Sequence, residues 1–202
     1  MRSELTRRAA IAGAGALLVS LAVPGGPAQA LTPAAAQAMI TDTVAEVFGV
    51  IDSGRSEGQM LADFERILVR RADVDYIARR ALGPAARSAS AAELAAYTQA
   101  AQGYIARKYG RRFREFIGGR IDINGTRTGD NFVEVISTAH LRGEAPFEVR
   151  WVVSDRSGRP LFIDLVIEGV SLLLSEGQEI RALLDRNRGS IAGLTEDLRR
   201  AG

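Results

Sequence analysis

From Thr32 onward, apolar residues recur at helical spacing. Ile40, Val44, Val47, Phe48 and Ile51 form one amphipathic stripe behind Thr32-Pro33, a plausible helix start, and Ser53-Gly54 ends it. A second helix carries Leu61, Phe64, Ile67 and Leu68, and a third runs from Asp73 to Leu82, where Gly83-Pro84 stops the chain. Ser90-Ala91-Ala92-Glu93 is a capping box, in which serine and glutamate each satisfy a free helix-end N–H. It opens a long helix through Leu94, Tyr97, Ala101, Tyr104, Ile105, Phe113 and Phe116 to Gly118-Gly119, with an expected length of about 40 Å.

After Gly119 the period changes from near 3.6 to 2. Residues Ile121 to Thr126, Phe132 to Leu141, Phe147 to Asp155 and Leu161 to Glu168 read as four strands. The separators, such as Gly129-Asp130-Asn131 and Ser157-Gly158-Arg159-Pro160, are turn sequences, and links this short favour an antiparallel meander. Leu172 to Arg188 and a short tail opened by Ser190 close the chain as helix. Helices, then a sheet, then helices predict an α+β fold with the helices on one sheet face.

Along the strands, Phe147, Val149, Trp151 and Val153 project to one face while Glu148 and Arg150 project to the other. Ile163, Leu165 and Ile167 likewise share a face opposite Asp164 and Glu168. One sheet face is therefore continuously apolar. With the aromatic stripe of the long helix it encloses either a filled core or a cavity for an apolar ligand, and periodicity is satisfied by both.

The chain has 202 residues, 47% of them hydrophobic and 25% charged, enough for one globular domain with a substantial core. Residues 1–30 read as a cleaved export signal. Arg2, Arg7 and Arg8 lead an uncharged run from Ala9 to Val23, Pro24-Gly25-Gly26-Pro27 breaks it, and Ala28-Gln29-Ala30 is a small-x-small cleavage site. The run is short for a bilayer span. Thr6-Arg7-Arg8-Ala9-Ala10-Ile11 also resembles a twin-arginine signal, so the export route stays open. Removing three arginines and Glu4 with the signal leaves 23 basic and 23 acidic residues in 31–202. A formally neutral exported domain argues against nucleic acid as a partner.

With no cysteine and His140 as the single histidine, thiol and iron–sulfur chemistry and any site built on two imidazoles are excluded. Gly13-Ala14-Gly15 lies in the signal's apolar run, without the strand-turn-helix of a dinucleotide loop, and no P-loop pattern occurs. Gly169-Val170-Ser171-Leu172-Leu173 lacks the second glycine of a nucleophile elbow. His140 is expected on the polar face near a strand end, and Asp164 with Glu168 is the one carboxylate pair to weigh as acid and base. Arg107, Lys108, Arg111, Arg112, Arg114 and Arg120 cluster near the end of the long helix, as a solvated face or as a site for lipid phosphate or an acidic partner. No cofactor and no enzymatic activity are expected.

The segment Ile163-Asp164-Leu165-Val166-Ile167-Glu168-Gly169-Val170-Ser171-Leu172 resembles the D-x-x-x-E-G-V-S motif of the MlaC-type periplasmic phospholipid-binding proteins, the toluene-tolerance auxiliary family. Asp75-Tyr76-Ile77-Ala78-Arg79 with Leu82-Gly83, then Glu93, Tyr97 and Lys108-Tyr109-Gly110, is similar to that family's helical half in order and spacing. The resemblance covers nearly all of residues 31–202. It implies an NTF2-like α+β fold in which a helical N-terminal half and C-terminal helices pack on a four-stranded antiparallel sheet and enclose an apolar cavity. It also implies a soluble lipid carrier in the periplasm, working between an outer-membrane lipoprotein–porin complex and an inner-membrane ABC transporter with MCE domains. Phospholipid is the implied ligand, with a hopanoid-associated lipid as alternative, and a small NTF2-like enzyme acting on an apolar substrate is the competing class. The positions carried over as lipid-binding are Tyr104 and Phe113 of the long helix and, on the sheet, Val133, Val135, Phe147, Val149, Trp151, Val153, Ile163, Leu165 and Ile167.

Overall fold

A computed structural model describes residues 31–201; the segment read as an export signal lies outside them. Among the described residues the order is α1 (Pro33–Ile51), α2 (Glu57–Arg71), α3 (Val74–Leu82), a 3-10 turn (Gly83–Arg87), α4 (Ala91–Gly110) and α5 (Phe113–Phe116). Then come β1 (Arg120–Thr128), β2 (Val133–His140), β3 (Phe147–Ser154), β4 (Leu161–Ile167), β5 (Val170–Ser171), α6 (Leu172–Arg186) and α7 (Ile191–Arg200). This is the expected α+β architecture.

The long helices begin where a side chain satisfies an N–H that has no partner within the helix. Thr32, Asp73, Ser171 and Ser190 accept from the first turn of α1, α3, α6 and α7. Ser56 with Gln59 and Ser90 with Glu93 form full capping boxes on α2 and α4. The long helix is shorter than its periodicity predicts. Gly110 weakens it, α4 stops there after 20 residues, and the chain tightens as Arg112 N–H donates to the Tyr109 carbonyl at 3.1 Å. Phe113–Phe116 is a separate turn, so the aromatic stripe is split between two elements.

The sheet is an antiparallel meander in the order β1-β2-β3-β4-β5, with a fifth strand that alternation does not predict. Glu168 and Gly169 take φ values of 49° and 81° and close a two-residue hairpin, which returns Val170–Ser171 along β4. Asp164 then ties the sheet to α6: it accepts from the Ser171 hydroxyl at 2.5 Å and from Leu173 N–H at 2.9 Å, placing a carboxylate at the helix N-terminus. Glu168 accepts from Glu148 N–H at 2.5 Å. Both carboxylates thus build the turn and the cap rather than an acid/base pair.

A bulge corrects the expected alternation in β4. Trp151 opposes Leu165, Val152 opposes Asp164 and Val153 opposes Phe162, which leaves Ile163 as the extra residue. Phe162 therefore takes the inward place opposite Val153 and packs edge-on against Trp151, with ring centroids 6.0 Å apart.

Two apolar clusters result. One is purely helical, with Leu82, Tyr97, Leu194 and Leu198 of α3, α4 and α7 fully buried beside Ile180 and Leu184 of α6. The other lays Ala36, Met39 and Ile40 of α1 on Val133, Val135 and Val153 of the sheet. α1 is long and apolar enough to cross a membrane, yet this face of it is buried against β-structure.

Candidate functional site

Between the two clusters lies a cavity of about 360 Å³, in the range of ligand pockets, ~300–1,000 Å³. Val149, Trp151, Leu165 and Ile167 form its sheet wall. Opposite stand Val47, Phe48 and Ile51 of α1, Ala101 and Ile105 of α4, and Leu172, Leu173 and Ile180 of α6. Trp151 presents no unpaired polar atom to this space. Its indole N–H donates to the Ser137 hydroxyl at 3.1 Å, and that hydroxyl donates to the Val149 carbonyl at 2.8 Å, so the polar edge is satisfied within the sheet.

The lining is graded. Its exposed members are Arg112, Glu115 and Glu144, which place the opening where α4 ends and the β2–β3 loop passes. Arg112 holds both Glu115 oxygens through Nε at 3.2 and 3.0 Å, and that bond with the Glu115 charge, aided by Glu144, raises its pKa.

About one helical turn inward, α4 and α6 are clamped together. Lys108 Nζ donates to the two Glu176 oxygens at 2.8 and 3.0 Å and to Glu179 at 2.6 Å. Tyr109 OH donates to Glu176 at 2.5 Å, and Tyr104 OH to Glu179 at 2.8 Å. Burial, then these carboxylates, pushes the Tyr104 phenol up to about 12 and that of Tyr109 further. Desolvation works against the Lys108 ammonium, but its bonds to Glu176, Glu179 and Tyr104 outweigh it and raise its pKa, while Lys108 and Tyr104 lower that of Glu179. At neutral pH the phenols are donors, and each Glu176 oxygen already has partners. The cluster is a clamp, not a poised base. Farther in, the wall is largely apolar, and its polar α4 members are engaged: Gln102 donates to Glu65 at 2.9 Å and Tyr97 OH to the Ala78 carbonyl at 3.2 Å.

A sequence model of the MlaC protein family matches residues 41–200. The chain belongs to the MlaC family. No curated protein matches it by sequence. The solved structure of a phospholipid-binding protein from Ralstonia solanacearum, in complex with a phospholipid, is similar in fold. The match has a TM-score of 0.70 at 21% identity and covers 82% of this chain and 95% of that one.

In this MlaC-family chain, Phe147, Val149, Trp151, Ile163, Leu165 and Ile167 line the cavity, Ile163 despite its bulged position. Val133, Val135 and Val153 are buried in the sheet cluster and Tyr104 in the helical one, away from the cavity wall. The Phe113 side chain lies outside the described residues. The basic cluster disperses. Arg107 donates to the Leu198 and Ala201 carbonyls at the end of α7, Lys108 enters the clamp, and Arg120 pairs with Asp122 at 3.1 Å. Arg111 is exposed, and the Arg114 side chain is outside the described residues. His140 sits 3.0 Å from Asp122 on the polar face, as expected. Sequence reasoning does not select Glu144, Glu176, Leu172 or Leu173 for the site. The available signal was Glu176 interrupting the apolar spacing between Leu172-Leu173 and Ile180. Among the described residues no cluster of three acids or histidines is placed to hold a metal.

Proposed function

We propose that this chain is a lipid carrier that holds phospholipid acyl chains in the cavity between the sheet and the helices. The observation that carries this reading is the graded cavity: a largely apolar space of about 360 Å³ whose exposed charged residues gather at the opening, while the inner carboxylates Glu176 and Asp164 are engaged by the clamp and the α6 cap. Phe147, Val149, Trp151, Ile163, Leu165 and Ile167 are the proposed chain-contacting residues. The related Ralstonia protein, solved with a phospholipid, supports the ligand class.

Free energy explains the need for a carrier. Exposing one sixteen-carbon chain to water costs roughly 12 kcal/mol at about 0.8 kcal/mol per methylene. An apolar cavity makes transfer from a bilayer nearly balanced, so the carrier itself needs neither cofactor nor catalytic group. We place it in the periplasm, exported by residues 1–30 and acting as one domain, 31–202. There it shuttles lipid between an outer-membrane lipoprotein–porin complex and an inner-membrane MCE-domain ABC transporter, without nucleic acid as partner.

Organic extraction of purified 31–202 tests the central claim. Near-stoichiometric diacyl lipid is expected, whereas lipid-free protein that also fails to load from vesicles would return the cavity to the filled-core or enzyme readings. Cell fractionation tests the location, where recovery in salt-washed membranes would count against a soluble periplasmic protein.

A further inference from the structure

The opening has an uneven charge balance. The cavity lining contributes four carboxylates against the single guanidinium of Arg112: Glu115 and Glu144 at the opening, the deeper Glu176 in the clamp, and Asp164, whose oxygens are taken up by the α6 cap. Behind them Glu179 and Lys108 offset one another at 2.6 Å. Arg111 and Arg142 are exposed nearby but outside the lining, the latter's guanidinium lying beside Gly118. These groups are not equivalent in what they leave open. Arg112 binds Glu115 through Nε and Nη2, and its Nη1 has no partner among the described residues. Glu144 is exposed and takes part in no ion pair among the described residues.

We infer that this opening selects a phospholipid whose headgroup carries an ammonium beside its phosphate, against one of net negative charge. The inference rests on the carrier reading above. With the tails inward, the phosphate reaches the opening beside the Arg112 guanidinium, and the ammonium meets the exposed Glu144 carboxylate, which has no ion pair among the described residues. A headgroup without a cation brings its charge to a surplus of carboxylates and gains only the Arg112 contact. Because these groups are solvated, the preference is a few-fold effect and salt-sensitive.

The test incubates delipidated 31–202 with vesicles equimolar in phosphatidylethanolamine and phosphatidylglycerol of identical acyl chains. Bound lipid is then extracted, and both its total and its headgroup ratio are quantified. At low salt the protein should be enriched about threefold or more in phosphatidylethanolamine, and the enrichment should shrink as the Debye length falls from about 30 Å to about 3 Å with added salt. Glu144→Gln should move the ratio toward that of the vesicles, and Glu144→Arg should invert it. Uptake at the vesicle ratio, or a ratio unmoved by Glu144→Arg, overturns the inference while leaving the carrier reading intact. Parent protein that takes up neither lipid overturns both.

Discussion

The helical cluster and the cavity are built from the same kinds of apolar side chain and differ in what surrounds them. In the cluster, α4 packs against α7 and α3 against α6, so Leu82, Leu194 and Leu198 have protein on every side. At the cavity, α1 is seated on the sheet by Ala36 and Ile40, α6 is tied to β4 through Asp164, and the Lys108–Glu176 bridge fixes α4 to α6. These ties hold α1 and α6 against the sheet and α4 against α6 around the cavity. Ala78, Ala81 and Ala101, where larger side chains would fill the gap, line the cavity instead. An apolar face becomes a core or a pocket according to how its backbones are spaced.

Truncation should separate the two regions most strongly. Leu194→Ala is expected to destabilise lipid-free protein by about 2 to 5 kcal/mol in urea unfolding, since it opens a void in a close-packed cluster. Leu165→Ala, at a wall already facing empty space, should cost less than about 2 kcal/mol because fewer contacts are lost. Equal losses would erase the distinction.

The clamp comes next. Glu176→Ala strands the Tyr109 hydroxyl and leaves Lys108 with Glu179, and a loss of about 1 to 3 kcal/mol is expected, moderated because Lys108 is partly solvated and keeps that partner. Stability should also follow pH at both ends. Glu46 and Glu179 have folded pKa values below 4.5, Glu46 through its bonds to Arg71 and Arg70, so their contribution is present above 4.5 and is lost as pH falls through the lower folded values. Tyr104 keeps its proton to about 12 whereas the unfolded phenol releases it near 10.0, so stability should fall as pH rises between them. Chemical unfolding across pH, repeated with Tyr104→Phe, checks the alkaline arm; a slope unchanged by the substitution would count against it.

Val149→Trp sharpens the comparison from the cavity side. In a filled core such bulk costs about 1 to 3 kcal/mol; here most bound lipid should be displaced while delipidated protein loses less than about 1 kcal/mol. Native mass spectrometry alongside thermal melts reads both quantities, and bound lipid should account for the remaining difference in melting temperature between parent and variant. Retained lipid with a large drop in lipid-free stability would show Val149 packed against protein. The smallest effect belongs to His140→Ala on the polar face, within about 0.5 kcal/mol in stability and a few-fold in lipid uptake. Loss of lipid transfer with an intact fold would assign His140 a role that its pairing with Asp122 does not indicate.

Much of this was legible in the chain. Thr32, Ser90 and Ser190 each precede a helical run, and the alternation through Phe147 and Val153 orients β3 before any coordinates are considered. The end of α4 at Gly110 was not, because a glycine inside an apolar stripe is compatible with either continuation or a stop. The Ile163 bulge escaped for a related reason. Leu161-Phe162-Ile163 is apolar throughout, so the side chain skipped by the ladder depends on the pairing with β3.

By itself the sequence determined most of the elements, their order, the apolar face of β3 and the absence of thiol chemistry, since each follows from local spacing or residue type, but not β5 or the break between α4 and α5. Only the tertiary structure decided that this face meets open space, that Tyr109 and Glu176 stand one turn inside an opening carrying Arg112 and Glu144, and that Arg107, Arg112 and Arg120 turn to separate partners. Those outcomes depend on distances between residues remote in the chain, such as the 68-residue separation of Lys108 and Glu176, and no periodicity encodes the gap between packed surfaces.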